Sequence, residues 1–147
     1  LTASFNTEEH HEFSLPFDSE ATVVKLSDGK YVGRRGLAKN MSCDMGPSAL
    51  LDLGGIQVVV ITHRCQCLDP MQLELFGVDI AQARVVVVKS RGHFRSGFDE
   101  FFKPDQIYEV DCPGLTSPVL ANFNWTGLPR PVYPLDEDTT WTPPTTV

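Results

Sequence analysis

Four basic side chains and one histidine are concentrated between residues 84 and 98, a stretch that contains no acidic residue. They are Arg84, Lys89, Arg91, His93 and Arg95. This local charge is opposite to that of the whole chain, whose 147 residues carry a formal net charge of -7 at pH 7. Grouped Lys and Arg side chains bind carboxylates and other anions through charge-assisted hydrogen bonds. The sequence therefore predicts an anion-binding segment here.

The elements on either side of these cations would position them. Val85 to Val88 are four consecutive β-branched residues, a run too short for a helix and typical of a strand that is buried on both faces. Phenylalanines then recur at helical spacing, at Phe94, Phe98, Phe101 and Phe102. A buried strand is thus predicted to lead into a helix that ends before Pro104. Free backbone N–H groups and the helix dipole at the start of such a helix favour a bound anion.

Lys89 and Arg95 have two interpretations. In the first, they bind a carboxylate or another anion, either on a peptide substrate at a domain interface or on a catalytic domain. Cations beside a helix N-terminus are mildly unfavourable alone, because like partial charges face each other there, and a bound anion would offset this. In the second, they form internal ion pairs. The candidate carboxylates are Asp44, Asp99 and Asp111.

Ser90 and His93 belong to the same segment. Ser90 is predicted to be the helix N-cap, because its hydroxyl can accept a hydrogen bond from a first-turn N–H. A nucleophilic role for Ser90 would require a positioned base and an oxyanion hole, which sequence cannot show. His93 is either a hydrogen-bonded structural residue or a group that handles a substrate or a proton.

Cysteine and histidine spacing does not favour a metal site. The cysteines are irregularly spaced and are expected to be reduced, since a domain of this size needs no disulfide. They are Cys43, Cys65, Cys67 and Cys112. His63, Cys65 and Cys67 would share one face of a strand, but no second pair with zinc-site spacing follows. His10-His11-Glu12 lacks the HExxH spacing of a metallopeptidase helix.

Length and composition indicate one globular domain. Hydrophobic residues make up 41% and charged residues 21% of the chain, and no apolar run approaches the roughly 20 residues that span a bilayer. The acidic net charge argues against nucleic-acid binding. The chain begins at Leu1 without a signal-peptide pattern, which suggests a fragment. We therefore expect a cytoplasmic protein with no membrane partner.

The remaining pattern predicts the scaffold. Two hairpins are expected, one from 21–26 and 30–33 and another from 48–53 and 56–62, whose turn is formed by two glycines. A long loop follows the first hairpin over 34–47, and loops of that length tend to be functional. Further predicted elements are a short strand within 1–6, a helix over Pro70 to Phe76 capped by Asp69 and Gly77, and a strand over Gln106 to Val110.

These elements predict a mixed α/β (α+β) fold. We expect one domain with a largely antiparallel or mixed sheet of about six strands and two to three helices. Residues 1–20 are expected to be a partly flexible segment with a possible edge strand, and residues 21–111 the core. Residues 112–147 are expected to form a Pro-rich extended tail that packs on the core or on a partner.

Four stretches of the sequence resemble one protein family, and they occur in the order expected for that family. They are DMGPSALLDLGGIQVVVITHR at 44–64, VVVVKSRGHFRSGFDEFF at 85–102, YEVDCPGLTSP at 108–118 and RPVYPLD at 130–136. Together they are similar to the C-terminal domain of the MlrC-like family, the bacterial metallopeptidases typified by the enzyme that degrades linearised microcystin. The likeness extends from Ala21 to Asp136.

The resemblance implies a domain without catalytic residues. In the MlrC-like family the zinc ligands and the catalytic acid lie in a larger N-terminal domain, so zinc is expected there and no metal ligand is assigned in this chain. The family signature falls on Asp44 to Pro47 and on five residues of the cationic segment. Those five are Lys89, Ser90, His93, Phe94 and Arg95.

The first functional hypothesis is a non-catalytic C-terminal domain of a zinc metallopeptidase, a peptide hydrolase, that completes or gates the substrate cleft. Its candidate substrate-binding or anion-binding residues are Lys89, Ser90, His93, Arg95 and Asp44. Its partners would be the N-terminal catalytic domain of the same polypeptide and a peptide or small anionic ligand. The alternatives are a stand-alone module that binds an anion or small ligand, and an oligomerisation domain. The chain alone is expected to be inactive.

Overall fold

In a computed structural model, residues 1–7, 15–90, 92–112 and 117–143 are described, and they contain seven strands and two short α-helices. The strands are β1 (Thr2–Phe5), β2 (Phe17–Glu20), β3 (Thr22–Ser27), β4 (Lys30–Val32), β5 (Ser42–Asp44), β6 (Ser48–Asp52) and β7 (Gln57–Val60). The helices are α1 (Met71–Glu74) and α2 (Arg95–Phe98). Single 3-10 turns occur at Gly36–Ala38, Ile80–Gln82, Pro104–Gln106 and Leu120–Asn122. The predicted mixed α/β class is confirmed.

The described strands form three small antiparallel sheets rather than one sheet of about six strands. The largest has the order β3-β6-β7, and the other two are the pairs β1-β2 and β4-β5. The strands contain only three to six residues each. Such short strands offer few ladder hydrogen bonds, so each sheet depends on the side chains that pack against its inner face.

The second predicted hairpin is confirmed. Strand β6 pairs with β7 in the register Asp52 to Gln57, and the N–H of Leu53 donates to the carbonyl of Ile56 at 2.9 Å. The turn residues Gly54 and Gly55 have φ angles of 83° and 101°, which glycine adopts without steric cost. Both glycine N–H groups donate to the same Asp52 carboxylate oxygen.

The first predicted hairpin is wrong, although both of its strands exist. Strand β3 pairs with β6, whereas β4 pairs with β5, which lies inside the predicted loop over 34–47. The apolar run of β6 gives β3 a longer hydrophobic partner than the three residues of β4 could. Gly29, between β3 and β4, lies so close to Gly46 that a Cβ would be 2.0 Å from its carbonyl oxygen.

The core lies between the large sheet and the segment that follows helix α1. Met45, Leu50 and Phe76 are each at most 4% exposed and form its centre. Helix α1 is where the sequence predicts it, because Asp69 accepts a hydrogen bond from the Met71 N–H at 2.8 Å. Half-buried side chains around this centre are Tyr31, Val59, Ile61, Leu75 and Val78.

The two strands predicted in the second half of the chain are wrong. Val85 to Val88 are in no strand, and Val85 and Val87 are 76% and 90% exposed. The predicted strand over Gln106 to Val110 is also missing, since a 3-10 turn ends at Gln106 and Tyr108 is 86% exposed. β-Branched composition favours extended backbone, but a strand also needs a hydrogen-bonding partner. No described residue acts as a strand partner for either of these segments.

The predicted helix over the phenylalanine stripe is much shorter than expected. Helix α2 has four residues, and Phe98 is its buried anchor at 3% exposure. Ser96 and Gly97 occupy its interior, and glycine costs about 1 kcal/mol relative to alanine in a helix. Gly97 is nevertheless required, since a Cβ there would lie 2.2 Å from the Leu68 carbonyl oxygen.

The chain divides into two compact units, with the boundary between Tyr108 and Glu109. In the second unit the Phe123 and Trp125 rings lie 5.4 Å apart, and Arg130 forms a bidentate pair with Asp136. Hydrogen bonding to Arg130 lowers the pKa of Asp136 to about 2. The described residues of this unit contain no strand, and the division into 1–20, 21–111 and 112–147 stays a prediction. No helix in the described ranges has the length and apolarity needed to cross a bilayer.

The core predicts different effects at two methionines. Met45→Ala should lower the free energy of unfolding by about 2–5 kcal/mol, because it leaves a cavity beside Leu50 and Phe76. Met41→Ala is the matched control, since Met41 is 57% exposed, and it should change stability by less than about 0.5 kcal/mol. Urea unfolding followed by circular dichroism measures both. Equal effects would contradict the assigned core.

Two glycines test how α2 is positioned. Gly97→Ala should destabilise by about 1–3 kcal/mol, because the methyl group meets a backbone carbonyl that cannot move aside like a side chain. Gly92→Ala is the control, since a methyl group at that position would meet nothing within 4 Å and the φ of Gly92 is not positive. Thermal unfolding of the two variants would refute this packing if Gly97→Ala proved as stable as Gly92→Ala.

Candidate functional site

The signature segment Asp44 to Pro47 joins two sheets. The Met45 N–H donates to the Gly29 carbonyl at 3.0 Å, and the Met45 carbonyl accepts the N–H groups of Thr62 and His63 at 3.1 and 2.8 Å. These bonds fix the backbone after β5 against the backbone after β7. The buried Met45 side chain anchors the same point in the core. Asp44 is thereby held beside His63.

Asp44 and His63 form a half-exposed pair. His63 Nδ1 lies 3.7 Å from Asp44 Oδ1, and their side chains are 58% and 48% exposed. The same carboxylate oxygen accepts the Gly46 N–H at 2.7 Å. Gly46 has a φ of +68°, and a Cβ there would lie 3.0 Å from the imidazole ring. The glycine therefore lets the ring lie against the backbone, close to the Asp44 carboxylate.

Gln72 connects this pair to the following loop. The side chain is buried at 5% exposure, and its Nε2 donates to the Gln66 carbonyl at 3.3 Å. The same nitrogen lies 3.5 Å from Cys65 Sγ and 3.8 Å from Met45 Sδ. One buried amide thus contacts the loop after His63 and the signature residue next to Asp44.

His93 contacts the same loop from the cationic segment. Its Nδ1 lies 3.4 Å from Gln66 Oε1, and its carbonyl accepts a hydrogen bond from the Ser96 hydroxyl at 3.2 Å. Two side-chain contacts therefore flank the loop 63–66, one from Asp44 to His63 and one from Gln66 to His93. We call these four residues the Asp–His surface.

The other predicted site residues are placed differently. Lys89 is exposed and forms no ion pair with any residue in the described ranges. The guanidinium of Arg95 lies over the Phe94 ring, with 5.3 Å between Cζ and the ring centroid. The Ser90 hydroxyl oxygen is buried and has no hydrogen-bond partner among the described residues. Arg91 lies outside the described residues.

The prediction that Ser90 caps a helix is wrong. Helix α2 starts at Arg95, and its N-cap position is Phe94, which has no side-chain oxygen. Residues 92–94, immediately before α2, are in no helix. With only four residues, α2 also lacks the aligned peptide dipoles needed for the predicted anion site at a helix N-terminus.

The three carboxylates proposed as internal partners of the cations have other contacts. Asp44 lies beside His63, as described above. Asp99 Oδ1 accepts a hydrogen bond from Arg35 Nη2 at 2.5 Å. In the second unit, Asp111 accepts hydrogen bonds from Ser117 and Asn122 at 2.7 and 3.0 Å. None of these contacts involves Lys89.

The cysteines and histidines do not form a metal site in the described part of the chain. No three His, Cys, Asp or Glu side chains there are arranged to bind a metal ion, and this includes His63, Cys65 and Cys67. All four cysteines have free thiols. Burial raises the pKa of Cys65 and raises that of Cys67 to about 11, which keeps both thiols protonated at neutral pH. His10-His11-Glu12 lies outside the described residues.

An open groove of about 590 Å³ lies at one end of the large sheet. Leu26, Ala49, Val60 and Ile61 contribute apolar lining, together with Thr62. None of the predicted site residues lines this groove. Pro47, the last residue of the signature segment, and Thr62, the neighbour of His63, both line it.

The buried carboxylate of Asp69 is an organising group that the residue pattern did not indicate. Asp69 is 0% exposed, and its Oδ2 accepts the backbone N–H groups of Arg34 and Arg35 at 2.7 and 2.8 Å. Its other oxygen caps α1 through Met71. The sequence showed Asp69 only as a helix cap, because the contact to Arg34 spans 35 residues.

Two arginines in the predicted loop connect it to both helical segments. Arg34 Nε and Nη2 donate to the Glu74 carboxylate at 2.7 and 2.6 Å, and Nη2 also bonds to Glu100. Arg35 bonds to Asp99 and lies 3.5 Å from Glu100. Hydrogen bonding to Arg34 lowers the pKa of Glu100, and bonds to Glu74 and Glu100 raise the pKa of Arg34. The adjacent Arg34 and Arg35, in a chain of acidic net charge, are the sequence feature that could have indicated this network.

This network predicts a loss of stability in acid. The folded-state pKa of Glu100 lies below its ordinary value of 4.5, so its contribution is present above pH 4.5 and is lost as the pH falls through the lowered pKa. Glu100→Gln should cost about 0.5–1 kcal/mol at pH 7 and much less at pH 3. Asp105→Asn is the control, since Asp105 is exposed and outside every described ion pair. Urea unfolding at both pH values measures the difference, and a pH-independent cost would contradict the assignment.

The sequence of this chain matches a known protein family. The family model of the MlrC C-terminus matches residues 2–127, a range that includes both signature segments and ends before the RPVYPLD stretch. A crystal structure from Mesorhizobium sp. BNC1, of a protein with a provisional assignment as a metallopeptidase, superposes with a TM-score of 0.71 and 28% sequence identity. The match covers 88% of this chain and 25% of that one, so the chain spans one quarter of that relative's length. No curated protein is significantly similar in sequence.

The family model covers far more than half of the chain and includes the Asp44 to Pro47 turn and the segment from Lys89 to Arg95. On this evidence the chain belongs to the MlrC C-terminus family.

Proposed function

We propose that this chain is the non-catalytic C-terminal domain of a zinc metallopeptidase, a peptide hydrolase, and that it completes the substrate cleft of a separate catalytic domain in the same polypeptide. One observation carries the proposal. The Mesorhizobium protein, provisionally assigned as a metallopeptidase, matches 88% of this chain over only 25% of its own length. The other three quarters of such a polypeptide can hold the metal ligands and the reacting groups.

The part of this chain that the structure describes does not fit a zinc site. In the ranges that the structure describes, no group of three or more His, Cys, Asp or Glu side chains is arranged as metal ligands. We therefore assign zinc to the catalytic domain, where it would act as a Lewis acid that activates water. No step of the reaction is assigned to a metal held by this domain.

The contribution of this domain would be to bind and orient the peptide. Lys89 is exposed and forms no ion pair within the described residues, so its ammonium group can bind a peptide carboxylate. The Asp–His surface supplies further hydrogen-bonding groups, with His63 Nδ1 3.7 Å from Asp44 and His93 Nδ1 3.4 Å from Gln66. Side chains, rather than the short α2 helix, would thus recognise the substrate.

Substrate kinetics in the longer polypeptide test the role of Lys89. For peptides with a free C-terminal carboxylate, Lys89→Ala should raise KM about tenfold and leave kcat unchanged, because the lost contact stabilises ground state and transition state equally. For the same peptides with an amidated C-terminus, the variant should behave like the wild type. Lys39→Ala is the matched control, since Lys39 is an exposed lysine on another segment.

Two results would contradict different parts of the proposal. Stoichiometric zinc, measured by atomic emission, or peptide hydrolysis by the purified 147-residue chain would overturn the non-catalytic assignment. An unchanged KM in Lys89→Ala would overturn the role of Lys89 in substrate binding and leave the domain assignment standing.

A further inference from the structure

The segment 85–90 has the side-chain pattern of a strand without being in one. Its residues alternate between exposed and half-buried, with Val85, Val87 and Lys89 facing outward and Val86, Val88 and Ser90 facing the domain. Val85 and Val87 are 76% and 90% exposed. A period of two is the repeat of an extended β backbone, so this segment has one face against its own domain and one apolar face without cover.

The backbone of this segment is unpaired as well. No N–H or carbonyl from Val85 to Ser90 forms a backbone hydrogen bond with a described residue. The buried hydroxyl oxygen of Ser90 also lacks a partner within the described ranges. Four β-branched residues with free ladder groups are what an edge strand presents to a second strand. The segment thus has the composition, the alternation and the free hydrogen-bonding groups for strand pairing.

We propose that Val85–Ser90 pairs with an edge strand of the catalytic domain of the same polypeptide, which extends a sheet across the domain boundary. This inference rests on the proposed function, because it identifies where the catalytic domain attaches. We choose the catalytic domain as the pairing partner because three quarters of the Mesorhizobium relative lies outside the match to this chain. Strand addition satisfies the free backbone groups and places side chains of the added strand beside the exposed valines.

Charge argues against a second copy of this chain as the occupant. Antiparallel self-pairing centred on Val86 and Val87 would place Arg84 opposite Lys89, and parallel pairing in register would place Lys89 opposite Lys89. Like charges directly opposite on paired strands are destabilising. A strand from the catalytic domain need not place a cation opposite Arg84 or Lys89. Pairing with that strand would also bring Lys89 to the domain boundary, where the proposed cleft lies.

Hydrogen–deuterium exchange on the 147-residue chain and on the longer polypeptide that contains it tests the pairing. We expect the amides of Val86, Val87 and Val88 to exchange at least about 100-fold more slowly in the longer polypeptide. Val87→Pro removes an N–H from the middle of the strand and should abolish most of that protection at Val86 and Val88. Val87→Thr, which keeps the N–H and the β-branch, should retain it.

Further measurements distinguish failure of the strand pairing from failure of the proposed function. In the 147-residue chain, Val87→Pro should leave the melting temperature unchanged, because Val87 is exposed and its N–H is unbonded there. Equal exchange in both forms, with peptidase activity in the longer one, would overturn the pairing and leave the proposed function intact. Protection in a dimer of the 147-residue chain, seen by sedimentation, would assign the segment to self-association and also overturn it. A natural polypeptide with no further domain would instead overturn the proposed function.

Discussion

The buried Asp69 carboxylate holds together parts of the chain that are distant in sequence. It accepts three backbone N–H groups, two from the Arg34-Arg35 loop and one from the start of α1. A fully buried carboxylate is costly unless its oxygens are hydrogen-bonded, and these three bonds of 2.7 to 2.8 Å meet that condition. The loop is thereby fixed where Arg34 and Arg35 can reach the acids of both helical segments. Without that anchor, those half-exposed ion pairs would contribute little.

The Asp–His surface depends on a second constraint, the close approach of backbone and ring at Gly46. Met45 is anchored in the core, its carbonyl holds the backbone after β7, and the absence of a side chain at Gly46 leaves space for the His63 imidazole. The buried Gln72 amide then joins this turn to the loop that contacts His93. Packing in the interior therefore determines which polar groups meet at the surface.

Local sequence predicted some elements well and others poorly, for a physical reason. The Gly54-Gly55 turn and the Asp69 cap of α1 require contacts within four residues, so their residue types carry the information. Strands β3 and β4 were also found, but their partners were not, because β propensity does not encode which strand lies alongside. Helix α2 was overextended, since the phenylalanine spacing fits a helix while Ser96 and Gly97 weaken it. Of the predicted site residues, Asp44 and His93 lie on the Asp–His surface, whereas Ser90 lies five residues before α2.

By itself the sequence determined the mixed α/β class, the turn at Gly54-Gly55, the short helix α1, and, through its signature segments, the resemblance to the MlrC-like family. Each of these depends on neighbouring residues or on residue identity alone. Only the tertiary structure decided that Asp44 lies beside His63, that Asp69 holds the Arg34-Arg35 loop, and that Val85 and Val87 are exposed in a segment that is in no strand. Those outcomes depend on which distant groups are available as partners, and a residue pattern shows what a segment can bind without showing what lies beside it.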